Sequence, residues 1–143
     1  MNADLSVAPE IAQLAMPLMH VPPPAGSTPR QPATTGQLAA GLSILAAAPQ
    51  RWWDLVRFNP DGPARIAVPA PFEAWLLVIP PGHKAACRCD LATLVAGEAD
   101  VDSTHLRQGR VRVHGSAAEH VHASVGHGYS VSLHVGEHEV ASP

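Results

Sequence analysis

Charge is scarce in this chain. Its 9 Lys and Arg together with 12 Asp and Glu amount to 15% of the 143 residues, while 46% are hydrophobic. Such a composition belongs neither to a disordered polyelectrolyte nor to an acidic tail. The net charge of −3, with histidine neutral, supplies no electrostatic reason to expect nucleic acid or an anionic membrane as partner. No apolar run reaches the roughly 18 residues of a membrane span. Cysteine is scarcer still, with only Cys87 and Cys89, one residue apart. A bridge between such near neighbours would constrain almost nothing in the unfolded chain. In an extended strand their Cα atoms stand roughly 6.6 Å apart, near the upper limit for a disulfide. Reduced thiols are therefore expected, in a cytoplasmic protein. No secretion signal is expected either. Asp4 and Glu10 sit where a positive segment belongs, and Pro9, Pro17 and Pro22 to Pro24 interrupt the apolar residues.

Histidine and turn-forming residues are what the chain has in surplus. Eight of the nine histidines lie between His83 and His138, and there are 11 glycines and 15 prolines. The length suits one domain. With so many turns, short strands are expected in place of a bundle of long helices.

The organisation follows the prolines. Residues 1–33 read as a flexible leader, with one or two helical turns over Ile11 to Met19 and then the extended run VPPPAGSTPRQP. Thr34 or Thr35 can cap a helix through GQLAAGLSILAAA, whose Leu38, Leu42 and Leu45 form an apolar stripe. A second helix is expected over QRWWDLVRF, with Trp52, Leu55 and Val56 on one side, ending at the turn NPDGP. Six or seven strands follow: ARIAV, EAWLLVI, LATLVAGEADV with a turn or bulge at Gly97, GRVRVHG, EHVHASV and YSVSLHV among them. Close spacing and Gly and Pro turns predict a mainly β, antiparallel sandwich or barrel. Residues 139–143 read as a tail.

Strand geometry makes two pairs informative. Residues i and i+2 project from one face about 6–7 Å apart, so two of them can converge on one ion. Cys87 with Cys89, and His120 with His122, are such pairs. A mixed thiolate and imidazole site suits zinc. Equally, the thiols can be small buried hydrophobes and the imidazoles surface or satisfied core groups. His134, beside Ser132 on the polar face of a strand, can orient a neighbouring group. His83, His105, His127 and His138 fall in turns or near the end and are expected to be exposed. Arg65 on an early strand can grip a carboxylate. Asp100 and Asp102 are accounted for by solvation. No serine-hydrolase elbow, phosphate loop or dinucleotide fingerprint is present.

Several segments in order, WWDLVRFNPDG, EAWLLVIPPG, LATLVAGEA, LRQGRVRVHGSAAEHVHASV and SVSLHV, resemble bacterial members of the cysteine dioxygenase family. The resemblance runs from Arg51 to Val135. It implies a small cupin (jelly-roll) barrel preceded by two short α-helices. It further implies three histidines on Fe(II), a small thiol such as cysteine as substrate, and its oxidation by O2 to cysteine sulfinate. By position, His122 falls on the third iron ligand and Arg65 at or near the carboxylate-binding arginine. Ser132 and His134 fall on the Ser and His of the family's last strand.

Where the family has His-x-His this chain has Cys87-Arg88-Cys89, and Gly136 and Gly126 stand where a Tyr and an Asn are expected. Two thiolates for two imidazoles favour zinc or copper(I) over three-histidine iron. Three readings follow. One is an iron-dependent thiol dioxygenase with an altered site, with His120 or His83 as substitute ligand. Another is a non-oxygenase cupin binding zinc through Cys87, Cys89 and His122, or sensing redox state through the thiols. The third is a metal-free structural barrel. A monomer or homodimer is expected in each.

Overall fold

Helix formation starts where Thr34 meets Gln37. The Gln37 amide donates to Thr34 Oγ1 (3.1 Å) and the Thr34 amide to Gln37 Oε1 (2.8 Å), a reciprocal cap that opens helix α1, Thr35–Ala46. The computed structural model describes residues 32–115 and 119–136. Nearly all of the expected leader, His138 and the expected tail thus lie outside the described residues. Leu42 and Leu45 of α1 are fully buried and Leu38 partly so, as the apolar stripe predicts.

The expected second α-helix is instead two 3-10 turns, Pro49–Arg51 and Trp53–Leu55. Trp52 between them takes φ −141°, outside the helical region. That bend turns the indole inward, where its N–H donates to Leu45 O at 2.7 Å and the ring is buried. Burial of this aromatic outweighs helix continuity, and the short segment between Pro49 and the NPDGP turn has little cooperativity to lose.

Nine strands are present among the described residues. They are β1 Ala64–Val68, β2 Ala74–Ile79, β3 Lys84–Cys87, β4 Leu91–Ala96, β5 Ala99–Val101, β6 Thr104–Leu106, β7 Val111–Val113, β8 His120–Ser124 and β9 Ser130–Val135. They pair antiparallel into two sheets, β1-β2-β9-β4-β7 and β3-β8-β5-β6. The count exceeds expectation because Lys84–Cys87 and Thr104–Leu106 form strands of their own and LATLVAGEADV divides at Gly97, β4 joining the first sheet and β5 the second. Gly97 has φ +81°, and a Cβ there would collide with the Tyr129 carbonyl oxygen. Gly97→Ala is therefore expected to cost about 2–4 kcal/mol, read as a lowered denaturation midpoint with unchanged slope.

Alternation along the five-stranded sheet separates two kinds of burial. Leu76, Val78, Val131, Leu133 and Val135 join Leu42, Leu45 and Trp52 in the core under α1. Trp75, Leu77 and Ile79 cluster instead with Ala85, Cys87, Cys89 and Ala92 between the sheets. On β9 the residues alternating with the apolar ones are Ser130, Ser132 and His134, all buried. The polar face expected for this strand is thus the barrel interior, not solvent. Among the described residues no helix is long and apolar enough to cross a membrane.

Candidate metal centre

The pairing of β3 with β8 sets the centre. Cys87 stands opposite His120, and Ala85 opposite His122. His120 and His122, two apart on one strand, are both buried, whereas Val121 between them is exposed. Cys89 follows just beyond the end of β3. From the other sheet β9 brings His134, flanked by Trp75 on β2 and Ala92 on β4. Trp75 stacks on the His134 ring at 4.2 Å between centroids, which fixes its plane.

Cys87, Cys89, His122 and His134 each present a ligand atom within 4.8 Å of the others, and all four are buried. A second set within the same span comprises Cys89, His114, His120 and His122. The structure thus brings together the expected Cys87, Cys89 and His122, with His120 adjacent. It adds His134 to the donors, a residue the sequence places as an orienting group and, by the resemblance, as a catalytic residue beside Ser132, and His114, which the sequence does not mark. His114 follows β7, whose alternation reads as a strand with its polar residues in solvent. The available signal was its place in the Arg112-Val113-His114 alternation opposite Val113, which is the exposed residue of the two.

The remaining residues are dispersed. Arg65 is exposed and donates from Nη2 to Ala86 O at 2.7 Å, tying β1 to β3 across the barrel edge. Among the described residues this bond is to backbone, and none joins Arg65 to the Cys and His cluster. His105 and His127 are exposed as expected, and His83 is half-buried. Asp100 lies 3.4 Å from His105 Nδ1, and Asp102 Oδ1 accepts the Val121 amide.

The two sulfurs lie 3.7 Å apart as free thiols. Cys89, donating to Cys87, holds that thiol far below its ordinary range, and the imidazoles of His120, His122 and His134 add to the effect against burial. The same neighbour and burial push Cys89 up. Of the two thiols, Cys87 is thus the readier to ionise. Cys89 Sγ also sits 3.2 Å from His120 Nε2 and 3.1 Å from His134 Nδ1, while Ser132 Oγ is 2.7 Å from His134 Nε2. One proton arrangement satisfies this chain. Ser132 donates to His134 Nε2, His134 Nδ1–H donates to Cys89, and Cys89 donates to the Cys87 thiolate.

His122 is the exception. It is 1% exposed, and although its ring lies near enough to Cys87 to favour that thiolate, neither ring nitrogen makes a hydrogen bond of ordinary geometry; nor does His114 Nε2. Buried polar atoms are nearly always satisfied, and an unpartnered imidazole beside two sulfurs belongs to a donor group that could hold an ion. Thiolate and imidazole donors fit a zinc-class ion.

Burial lowers the His134 imidazole from 6.5 to about 4, and His114 likewise to about 4. Between these values the unfolded chain binds protons that the folded state refuses. The chelated protein should therefore lose stability as pH falls from 6.5 towards 4, by about 3 kcal/mol through His134 alone. Urea unfolding of chelated protein across this window measures it. A flat profile would mean that His134 is protonated in the fold.

No family model and no curated protein matches this sequence. Among solved structures, the chain is similar to the TT1209 protein from Thermus thermophilus, at 18% identity and a TM-score of 0.50, over 58% of this chain and 91% of that one. It also aligns with an uncharacterized conserved protein with a double-stranded beta-helix domain from Klebsiella pneumoniae (21%, TM-score 0.48, 57% and 82%). A third likeness is to a cupin domain from Bordetella pertussis (13%, TM-score 0.44, 59% and 100%). At such identities the likeness is one of fold, and nothing in it singles out the cysteine dioxygenase family. With its two antiparallel sheets closed over a buried Cys and His cluster, the chain has the fold of a small cupin barrel.

Proposed function

We propose that this protein is a metal-holding cupin whose barrel carries one zinc-class ion on Cys87, Cys89, His122 and His134. The observation that carries this reading is the buried, unpartnered His122 imidazole, which places one ring nitrogen within 4.8 Å of three other donors. Two ionised thiols neutralise a divalent ion, so the loaded site leaves no net charge in the apolar interior. Cys89, the thiol held protonated in the metal-free pair, gives up its proton on binding. Ser132 holds the outer nitrogen of His134, and Trp75 stacks on its ring, fixing the ligand's orientation. Zinc with four protein ligands is a closed site that cross-links the sheets without redox chemistry.

A thiol dioxygenase is the second reading, supported by the sequence resemblance and the cupin barrel. It takes Fe(II) at the same cluster, a small thiol such as cysteine as substrate, Arg65 for the substrate carboxylate, and Ser132 and His134 in the catalytic strand. Two observations weigh against it. The donor set contains two sulfurs in place of two imidazoles, and the Arg65 guanidinium is hydrogen-bonded to Ala86 O.

Metal analysis of protein purified without added metal decides between them. One zinc per chain, with no cysteine-dependent O2 uptake, is expected. Iron near one per chain with cysteine-dependent O2 uptake would establish the dioxygenase instead. Absence of any stoichiometric metal, with stability indifferent to chelator, would leave a structural barrel.

A further inference from the structure

Six donor side chains meet in the barrel, two more than a tetrahedral ion takes. They fall into two overlapping sets of four that share Cys89 and His122. The inner set is wholly buried, whereas the other contains half-buried His114. We propose that Cys89, His114, His120 and His122 form a second, outer coordination position for the same ion, occupied alternately with the inner one. This rests on the metal-holding reading above.

Charge requires the alternation. Two divalent ions would set four positive charges against two thiolates inside an apolar barrel, an imbalance that burial makes costly. A single ion leaves the cluster neutral in either position, because Cys87, 3.7 Å from Cys89, stays close to both. Movement between positions keeps Cys89 and His122 and exchanges Cys87 and His134 for His114 and His120. The outer pair is built as a unit. The His114 and His120 rings stack at 3.9 Å and 26°, and the His114 amide donates to Asp90 O at 2.8 Å, beside Cys89. His114 Nε2 has no partner. Since His114 is the one donor with appreciable exposure, an ion arriving from solvent meets the outer position first and passes inward.

Zinc titration of the full chain, with a competing chelating dye, tests this. His134→Gln disables only the inner set, so it should still bind one zinc per chain, about tenfold to a hundredfold more weakly than the native protein. Cys87→Ser removes an inner ligand and the second thiolate together, so it should bind one zinc more weakly again. Adding His114→Ala to either should abolish retention. His114→Ala alone should slow zinc uptake about tenfold. Should one inner variant fail to fold, as judged by circular dichroism, the other gives the same comparison. Loss of zinc from the single inner variants as complete as from Cys89→Ser, two zinc ions on the native chain, or unchanged uptake by His114→Ala would overturn the outer position. A native chain that binds no zinc would overturn the metal-holding reading itself.

Discussion

The His122→Leu protein is expected to melt at a higher temperature than chelated wild type and to retain no metal. In the metal-free fold, His122 buries two ring nitrogens without partners, each carrying a desolvation cost of about 1–3 kcal/mol. Leucine has similar volume and no polar atom to desolvate. It would stand opposite Ala85, a member of the apolar interior cluster that contains Trp75 and Leu77. A net gain of about 1–2 kcal/mol follows, or roughly 5–15 °C for a domain of this size. Both candidate donor sets contain His122, so the same substitution removes the ligand common to them. The sign therefore reverses with metal: the variant is more stable than the stripped protein and less stable than the loaded one. Thermal melts of the three forms side by side provide the check. A variant that melts below the chelated wild type would mean that ordered water, not an ion, satisfies His122.

Stripping the metal from wild-type protein should lower its melting temperature by roughly 15–30 °C without unfolding it at room temperature. An ion present at about a thousand times its dissociation constant adds about 4 kcal/mol, and each kcal/mol is worth about 4–8 °C in a domain of this size. Connectivity gives the structural reason. His134 belongs to the sheet of β2, β9 and β4, while Cys87 and His122 belong to the other, so one ion ties the two sheets together. The fold survives the loss because most of its apolar burial lies elsewhere. Leu42, Leu45, Trp52 and the outward residues of β2 and β9 pack under α1, and Leu94, Ala99, Val101 and Leu106 form a separate cluster. A melting temperature unmoved by chelator would remove the ion from the stability of the fold.

Much of this architecture is legible in the order of residues. Thr34 and Gln37 announce the cap, Leu42 and Leu45 the buried stripe, and Val131, Leu133 and Val135 the period of a strand. These signals are local, because a cap or an alternating face depends only on residues a few positions apart. Cys87 with Cys89, and His120 with His122, can be paired for the same reason, since two-residue spacing on a strand puts neighbours on one face. Only the family resemblance singles out His122 from its pair. What local spacing leaves open is which face looks inward and what it meets there. Ser132 and His134 read as the polar face of β9, suited to solvent or to a site alike, yet α1 covers one side of that sheet and the second sheet covers the other. His134 is therefore wholly buried, 3.1 Å from Cys89 across 45 residues of chain. His114 and Trp52 teach the same lesson. Tertiary closure turned the first toward the cluster and traded a helix for burial of the second. The residue types and their periods were determined by sequence alone. The convergence of six donors from opposite sheets was decided by closure of the barrel, because contact between distant strands is a property of packing and not of spacing.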